Sequence, residues 1–292
     1  MHKAERSEFQ NLPDCLRLTN GTIDVIVTTS VGPRVLFYGF TGGENIFGAH
    51  PNAKTATALG EFKPYGGHRL WIAPENMPNS YAPDNAPVEY VFDEARNSIR
   101  LIQPLENITQ TQKEITLTLA AAGGSGVIVH HKITNRSARH LEIAAWALTI
   151  MNGGDAKKSG EAIIPNEPFA AYGANTLLPV RNLALWSYTN LSDSRFSFDE
   201  DSIRLKVDAK KTDAQKIGVF NRQGWAAYRL NDVLFKKRFD VDERAKYPDM
   251  NSNTELYTAG DFIELETLSP LKRLAPEDSI EHIEQWTVER EG

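Results

Sequence analysis

The stretch "DFIELET", residues 261–267, alternates with a period of two: Phe262, Glu264 and Glu266 fall on one side, Ile263 and Leu265 on the other. A helix would spread these side chains around its circumference, whereas a β-strand sorts them onto two faces. One face is then fit for a hydrophobic core. The other carries two carboxyl groups beside an aromatic ring, which suits either a polar cleft or a strand whose glutamates stay wet. In a cleft the crowding raises the proton affinity of one carboxyl group, and a carboxyl group that titrates near neutrality is a useful acid or base.

The same period recurs along the chain. "GTIDVIVTTS" (21–30), "VEYVFDE" (88–94), "KEITLTLA" (113–120), "GVIVHHKITN" (126–135), "HLEIAAWALTIM" (140–151), "SIRLKVDA" (202–209) and "HIEQWTVE" (282–289) read as strands rich in β-branched and aromatic residues. Turn-forming clusters such as "FTGGEN" (40–45), "AAGGSG" (121–126), "NGGDAKKSG" (152–160) and "YPDMNSN" (247–253) separate them. No long amphipathic helix is present in the pattern; short helical turns are expected only at "LSDSR" (191–195) and "PEDS" (276–279). The expectation is one all-β domain over residues 1–292, with two extended antiparallel sheets packed face to face.

Composition narrows the function. The 292 residues are 41% hydrophobic, enough for a sizeable core, and the formal net charge of -6 with no basic stripe argues against a nucleic-acid partner. The single cysteine, Cys15, excludes an internal disulfide and any multi-cysteine metal site. The opening "MHKAERSEFQNLPD" lacks a signal-like apolar core, and no run reaches the roughly 20 apolar residues of a membrane helix. A soluble cytoplasmic protein is expected, or a secreted or periplasmic one if a leader has been removed. No cofactor or metal is expected: no H-x-H, H-E-x-x-H, calcium loop, P-loop or nucleophile elbow occurs. Nothing indicates the oligomeric state.

A second dense segment is "PYGGHRLWIAPE", residues 64–75. Two glycines, His68, Arg69, Trp71 and Glu75 in twelve residues suit a sugar, whose ring faces stack on aromatics and whose hydroxyls take charged hydrogen bonds. The glycines would let a ligand approach the main chain. A tight corner with a snorkelling arginine gives the same letters, and Trp71 could pack beneath a site while Arg69 pairs with Glu75. The proline-rich stretch from residue 58 to 90, with Tyr65, Trp71 and Tyr81 embedded in it, is expected to lie over a site. "LPVRNLALWSYT" (178–189) adds Arg181, with Trp186 and Tyr188 on one strand face; "NTELYT" (253–258) adds Glu255 and Tyr257. Arg34 either touches the ligand or braces a loop carboxylate. His130 and His131 are adjacent on a strand, so they point to opposite faces, and His2, His50, His140 and His282 have no companions that suggest chemistry.

The segment "GDFIELETLSPLKRLAPED" (260–278), with the terminal "EHIEQWTVE", resembles the closing section of galactose mutarotases (aldose 1-epimerases). "PYGGHRLW" is similar to that family's H-G-G-…-W segment, and "GTIDVIVTTSVGPRVLFYGF" to its early hairpin. An uncharacterised group of the same superfamily shares "GG-x-R-x-W-x-A-P-E", "L-A-L-W-x-Y-T" and "L-E-L-E-T-L-x-P". The resemblance implies a β-supersandwich, a monosaccharide or short saccharide as ligand, Glu266 at the position of the general base, and Tyr65 at that of the first substrate-binding histidine. The family's acid histidine has no counterpart. Its strand reads "HLEIAAWALTIMNGG" here, with Trp146, Thr149 or Met151 in that place. His68 is then the substitute acid, Arg69 orients the substrate, and Glu264 tunes Glu266. Three readings follow: an aldose 1-epimerase using Glu266 and His68, a non-catalytic sugar-binding relative, or another saccharide-processing enzyme on the same fold.

Overall fold

The computed structural model describes residues 3–50, 52–155 and 158–291. Two large antiparallel sheets dominate it. The first has eleven strands, in the order Lys3–Phe9, Leu12–Thr19, Ile23–Thr28, Arg34–Phe40, His68–Ala73, Leu141–Asn152, Phe262–Leu268, Thr254–Thr258, Gln215–Val219 and Ala184–Leu185, with Lys272–Leu274 paired to the start of Leu141–Asn152. The second has ten, running from Glu89–Asp93 through Val127–Asn135, Ser279–Arg290 and Val233–Phe239 to Phe196–Phe198. The all-β expectation holds. The two expected helical turns are ordinary turns; among the described residues a short helical turn lies instead at Asn79–Tyr81, and Pro248–Asn251 is a tight turn with positive φ at Asp249, Met250 and Asn251. His2 and part of the 152–160 turn lie outside the described residues.

The sheets face each other across an apolar core in which Tyr38, Phe47, Phe235 and Trp286 meet edge to face or tilted, with centroids 5.4–5.9 Å apart. The first sheet is also covered on its outer face. There Phe62, Trp71, Trp146, Leu148, Ile150 and Leu268 form a second cluster, so Leu141–Asn152 is buried on both sides, which is why it reads as the nearly unbroken apolar run "IAAWALTIM".

The glycines of "PYGGHRLW" admit protein backbone, not ligand. Gly66 and Gly67 have φ of 98° and 66°, and a Cβ would stand 2.3 Å from the Gly48 carbonyl oxygen at the first and 2.1 Å from that of Val35 at the second. This close approach lets the Ala49–His50 strand pair with Tyr65–Gly66, His50 opposite Tyr65.

A polar network is sealed in the middle of the core. Lys237 and Glu284, both fully buried, form an ion pair at 3.0 Å. Glu284 also accepts from Trp286 Nε1 at 2.7 Å and from the Thr267 hydroxyl. His131 Nδ1 must donate to the His282 carbonyl, so its Nε2 accepts from His68 Nε2–H at 2.6 Å; His68 Nδ1 then accepts from Thr149, which accepts from Lys237. Every tautomer along the chain is thereby set. Burial holds the imidazoles neutral despite the nearby Glu284 charge: His68 is pushed well below its usual range, His131 to about 4 and His282 to about 3. His68, His131 and Glu284 do bring three ligand-type atoms within 4.8 Å. Two nitrogens on one tetrahedral zinc, at about 2.0–2.1 Å from the metal, would stand roughly 3.3 Å apart; the 2.6 Å contact is a hydrogen bond, and the Glu284 oxygens are already engaged.

Removing one partner of a buried ion pair leaves an uncompensated charge, a loss of about 3–5 kcal/mol. Lys237→Met is expected to destabilise by that amount in urea unfolding, and adding Glu284→Gln is expected to restore part of the loss. A double variant as unstable as the sum of the singles contradicts the pairing.

Candidate functional site

The outer face of the first sheet carries the site. Alternation brings Arg69 and Trp71, Trp146 and Ile150, Glu264 and Glu266, Glu255 and Tyr257, and Lys216 to that face of five successive strands. Register places Arg69 and Glu266 on either side of Leu148, Glu264 opposite Ile150, Glu255 opposite Glu266, and Tyr257 opposite Glu264. The face opens into a cavity of about 510 Å³, also lined by His50 and Phe62 from two short strands and by Glu75, Tyr81, Trp186 and Tyr188 from turns and loops.

Arg69 lies on the aromatic wall, its guanidinium 4.1 Å from the centroid of Trp71 and 5.2 Å from that of Phe62. Its ion pair with Glu264 is loose, at 3.7 Å, and its Nε and Nη1 are buried with no hydrogen-bond partner. Buried donors of this kind are costly to leave unmade. Desolvation lowers this guanidinium to about 10, partly offset by Glu264.

Lys216 is the second resident cation. Its ammonium lies 2.8 Å from Glu255 and 3.0 Å from Glu266, between the rings of Trp146 and Trp186 at 4.7 and 4.8 Å. Burial alone would lower its proton affinity, but the charges of Glu255 and Glu266 outweigh that and raise it well above the usual range. Glu266 also accepts from Trp146 Nε1 at 2.8 Å and is fully buried beneath the cavity. Desolvation pushes Glu255 well above the usual carboxyl range, against the pull of Lys216. Glu264 alone of the three lines the cavity, and burial, reinforced by the neighbouring Glu266 charge, raises it to about 7.

The expected site residues divide three ways. Arg69, Trp71, Glu75, Trp186, Tyr188 and Glu264 line the cavity. Trp186 and Tyr188 do so from a turn rather than a strand, and Glu75 accepts from Tyr81, not from Arg69. Glu255 and Glu266 lie just beneath, neutralised by Lys216. The remaining four are elsewhere. His68 belongs to the opposite face of its strand, inside the core network, because neighbours in a strand point opposite ways and Arg69 faces the cavity. Arg34 braces Asp84 with two bonds of 2.6 and 2.7 Å, and Tyr65 packs under it among Cys15, Val31 and Leu36. Arg181 ties the 165–167 loop through Asn166 and Glu167.

Two residues were not anticipated. Lys216, in "QKIGV", sits on a strand whose core face, Ile217 and Val219, gave no hint of chemistry opposite. His50 was read as solitary, yet it lines the cavity, its ring 4.8 Å from that of Phe262 and its Nε2 buried without a partner. Burial lowers its proton affinity, the Asp261 charge opposes this, and the Arg69 charge adds to it.

No protein-family model and no curated protein matches the sequence. Solved structures do match in shape. A galactose mutarotase-like protein from Lactobacillus casei has a TM-score of 0.59 at 10% identity, over 94% of this chain and 100% of that one. A candidate aldose 1-epimerase from Escherichia coli K12 scores 0.61 at 11% identity, over 94% and 99%. A galactose mutarotase related enzyme from Lactobacillus acidophilus scores 0.59 at 9% identity, over 94% and 97%. The fold is the galactose mutarotase-like β-sandwich.

Glu264 is expected to titrate near pH 7, read by carboxyl-carbon NMR. A raised carboxyl group contributes stability below its unfolded value of 4.5 that is lost as pH rises through about 7. Glu266→Gln removes a charge that raises Glu264 and is expected to move that titration downward; an unchanged or higher midpoint contradicts the coupling.

Proposed function

We propose that this chain binds a neutral aldose in the cavity over the first sheet and exchanges its anomers with Glu264 and His50 as the proton-transfer pair. The observation that carries this reading is the guanidinium of Arg69, which lines the cavity beside a carboxyl group that titrates near 7 and keeps two buried nitrogens without partners. The resident cations Arg69 and Lys216 are matched by glutamates, so the cavity favours a ligand without net charge. Aromatic residues on several sides give apolar ring faces a surface.

Anomer exchange needs a proton given to the ring oxygen as the C1–O5 bond breaks and another taken from the C1 hydroxyl. Between them Glu264 and His50 hold one proton near neutral pH. Glu264 binds it more tightly, because burial raises the carboxyl group and lowers the imidazole. Glu264 therefore donates to O5 while the unpartnered Nε2 of His50 accepts from O1. The open-chain aldehyde turns about C1–C2, and the reverse transfers close the ring on the other face and restore both groups.

The one-proton state is lost below the lowered value of His50 and above that of Glu264, so the rate is expected to peak between them and fall above about pH 7. General acid or base catalysis contributes about 10²–10⁴-fold, so Glu264→Gln and His50→Asn should each lower NMR-measured anomer exchange by that factor with binding retained. Equal rates in wild type and Glu264→Gln overturn the assignment. A second reading, a sugar-binding protein without catalysis, draws on Glu266, which Lys216 and Trp146 hold away from the cavity; it predicts binding with exchange no faster than background.

A further inference from the structure

The segment from residue 168 to 191 carries its apolar side chains outward. Nine of the eighteen large hydrophobic side chains exposed among the described residues fall within it, with Phe169, Tyr172 and Leu178 at 73%, 90% and 82% exposure. Its polar residues do the anchoring. Arg181 bonds Asn166, Glu167 and the Pro165 carbonyl, while Asn182 accepts from the Phe220 amide and donates to the Met250 carbonyl at 2.7 Å. Met250, itself 82% exposed, therefore stands beside the segment.

The segment is also almost free of charge. Between residues 168 and 191 the one charged residue is Arg181, in a chain that is 24% charged. It reaches the sheet at Ala184–Leu185, the last strand of the eleven-stranded sheet, where Ala184 is buried and Leu183 and Leu185 are exposed on either side of it. The other three sheet ends are guarded by charge. Lys3–Phe9 contains Glu5, Arg6 and Glu8, Glu89–Asp93 begins and ends on an acid, and Phe196–Phe198 lies between Arg195 and Asp199.

We propose that this segment and Met250 form the interface at which two copies of the chain meet about a twofold axis. Such an axis sets the patch against itself, and a patch with net charge repels its own copy. The net charge of -6 disfavours self-contact through most of the surface, whereas here the single cation is already neutralised by Glu167. A foreign partner would be selected by complementary charge, and this patch offers none. The size fits as well. Ordinary side-chain areas give the exposed apolar residues roughly 1,000 Å², above the ~300–600 Å² of the largest patch on a typical monomer and close to the ~800 Å² that each partner brings to a standard interface. Trp186 and Tyr188 follow the edge strand directly, so the second copy braces one wall of the first cavity.

Sedimentation velocity at micromolar concentrations tests the proposal. The wild type is expected to run as a dimer of two 32.6 kDa chains. Leu178→Glu and Leu183→Glu are each expected to raise the dimer dissociation constant about 100-fold or more, because a carboxylate is then buried at the contact without a partner. Leu178 is largely exposed within the chain, so its variant is expected to keep the wild-type circular dichroism spectrum. Val91→Glu, at an exposed position on the Glu89–Asp93 edge, is expected to remain a dimer. A wild type that stays monomeric overturns the proposal, whether or not it binds phosphatidylcholine vesicles. A dimer that persists in both leucine variants, or that Val91→Glu alone dissociates, overturns it too. Assembly that grows beyond the dimer with concentration overturns the closed twofold arrangement.

Discussion

A strand that is buried on both faces has to satisfy two environments at once, and the first sheet meets this demand at five adjacent strands. Every residue of these strands that belongs to the outer face is followed by one that enters the core: Arg69 by Leu70, Glu264 by Leu265, Glu266 by Thr267, Lys216 by Ile217. A slip of one residue in any of these registers would exchange a guanidinium or a carboxyl group for an aliphatic chain on both sides. The site's geometry is thus inherited from core packing, which fixes Arg69 and Glu264 without any bond between them stronger than a loose ion pair.

Charge is stored on both sides of that sheet, on its inner side by strands of the second sheet. Inside, Lys237 and Glu284 neutralise each other and fix a chain of neutral histidines. Outside, Lys216 is held by Glu255 and Glu266 between two tryptophans. Both arrangements satisfy a buried cation with protein groups. Arg69 and His50 differ, since each keeps buried nitrogen atoms without partners, and Glu264 keeps a proton affinity that no structural ion pair has settled. Chemistry is available where the protein has left its own polar groups incomplete.

The alternation of "DFIELET" was legible and gave both the strand and the shared face of Glu264 and Glu266. What it could not give was depth: Glu266 is covered because Lys216 and Trp146 arrive from strands distant in sequence. The same alternation, applied to "HRLW", separates His68 from Arg69; the local density of polar residues had hidden this. "HIEQWTVE" was legible as a strand, but its buried face is His282, Glu284 and Trp286 while Ile283 is exposed, the reverse of a hydrophobic rule, because the inward polar groups satisfy one another. Arg34 and Arg181 were recognisable as ordered cations, yet their carboxyl partners, Asp84 and Glu167, lie in loops whose path only the fold defines.

The central claim is that a sugar oxygen completes Arg69 while Glu264, not Glu266, meets the anomeric end of the ring. A crystal structure grown with saturating monosaccharide tests it most directly. The account predicts a ring in the cavity with an oxygen on Arg69 Nε or Nη1, Glu264 at the ring oxygen, and Lys216 still bonded to Glu255 and Glu266. A bound sugar outside this cavity, or one met by a Glu266 that has left Lys216, would contradict it.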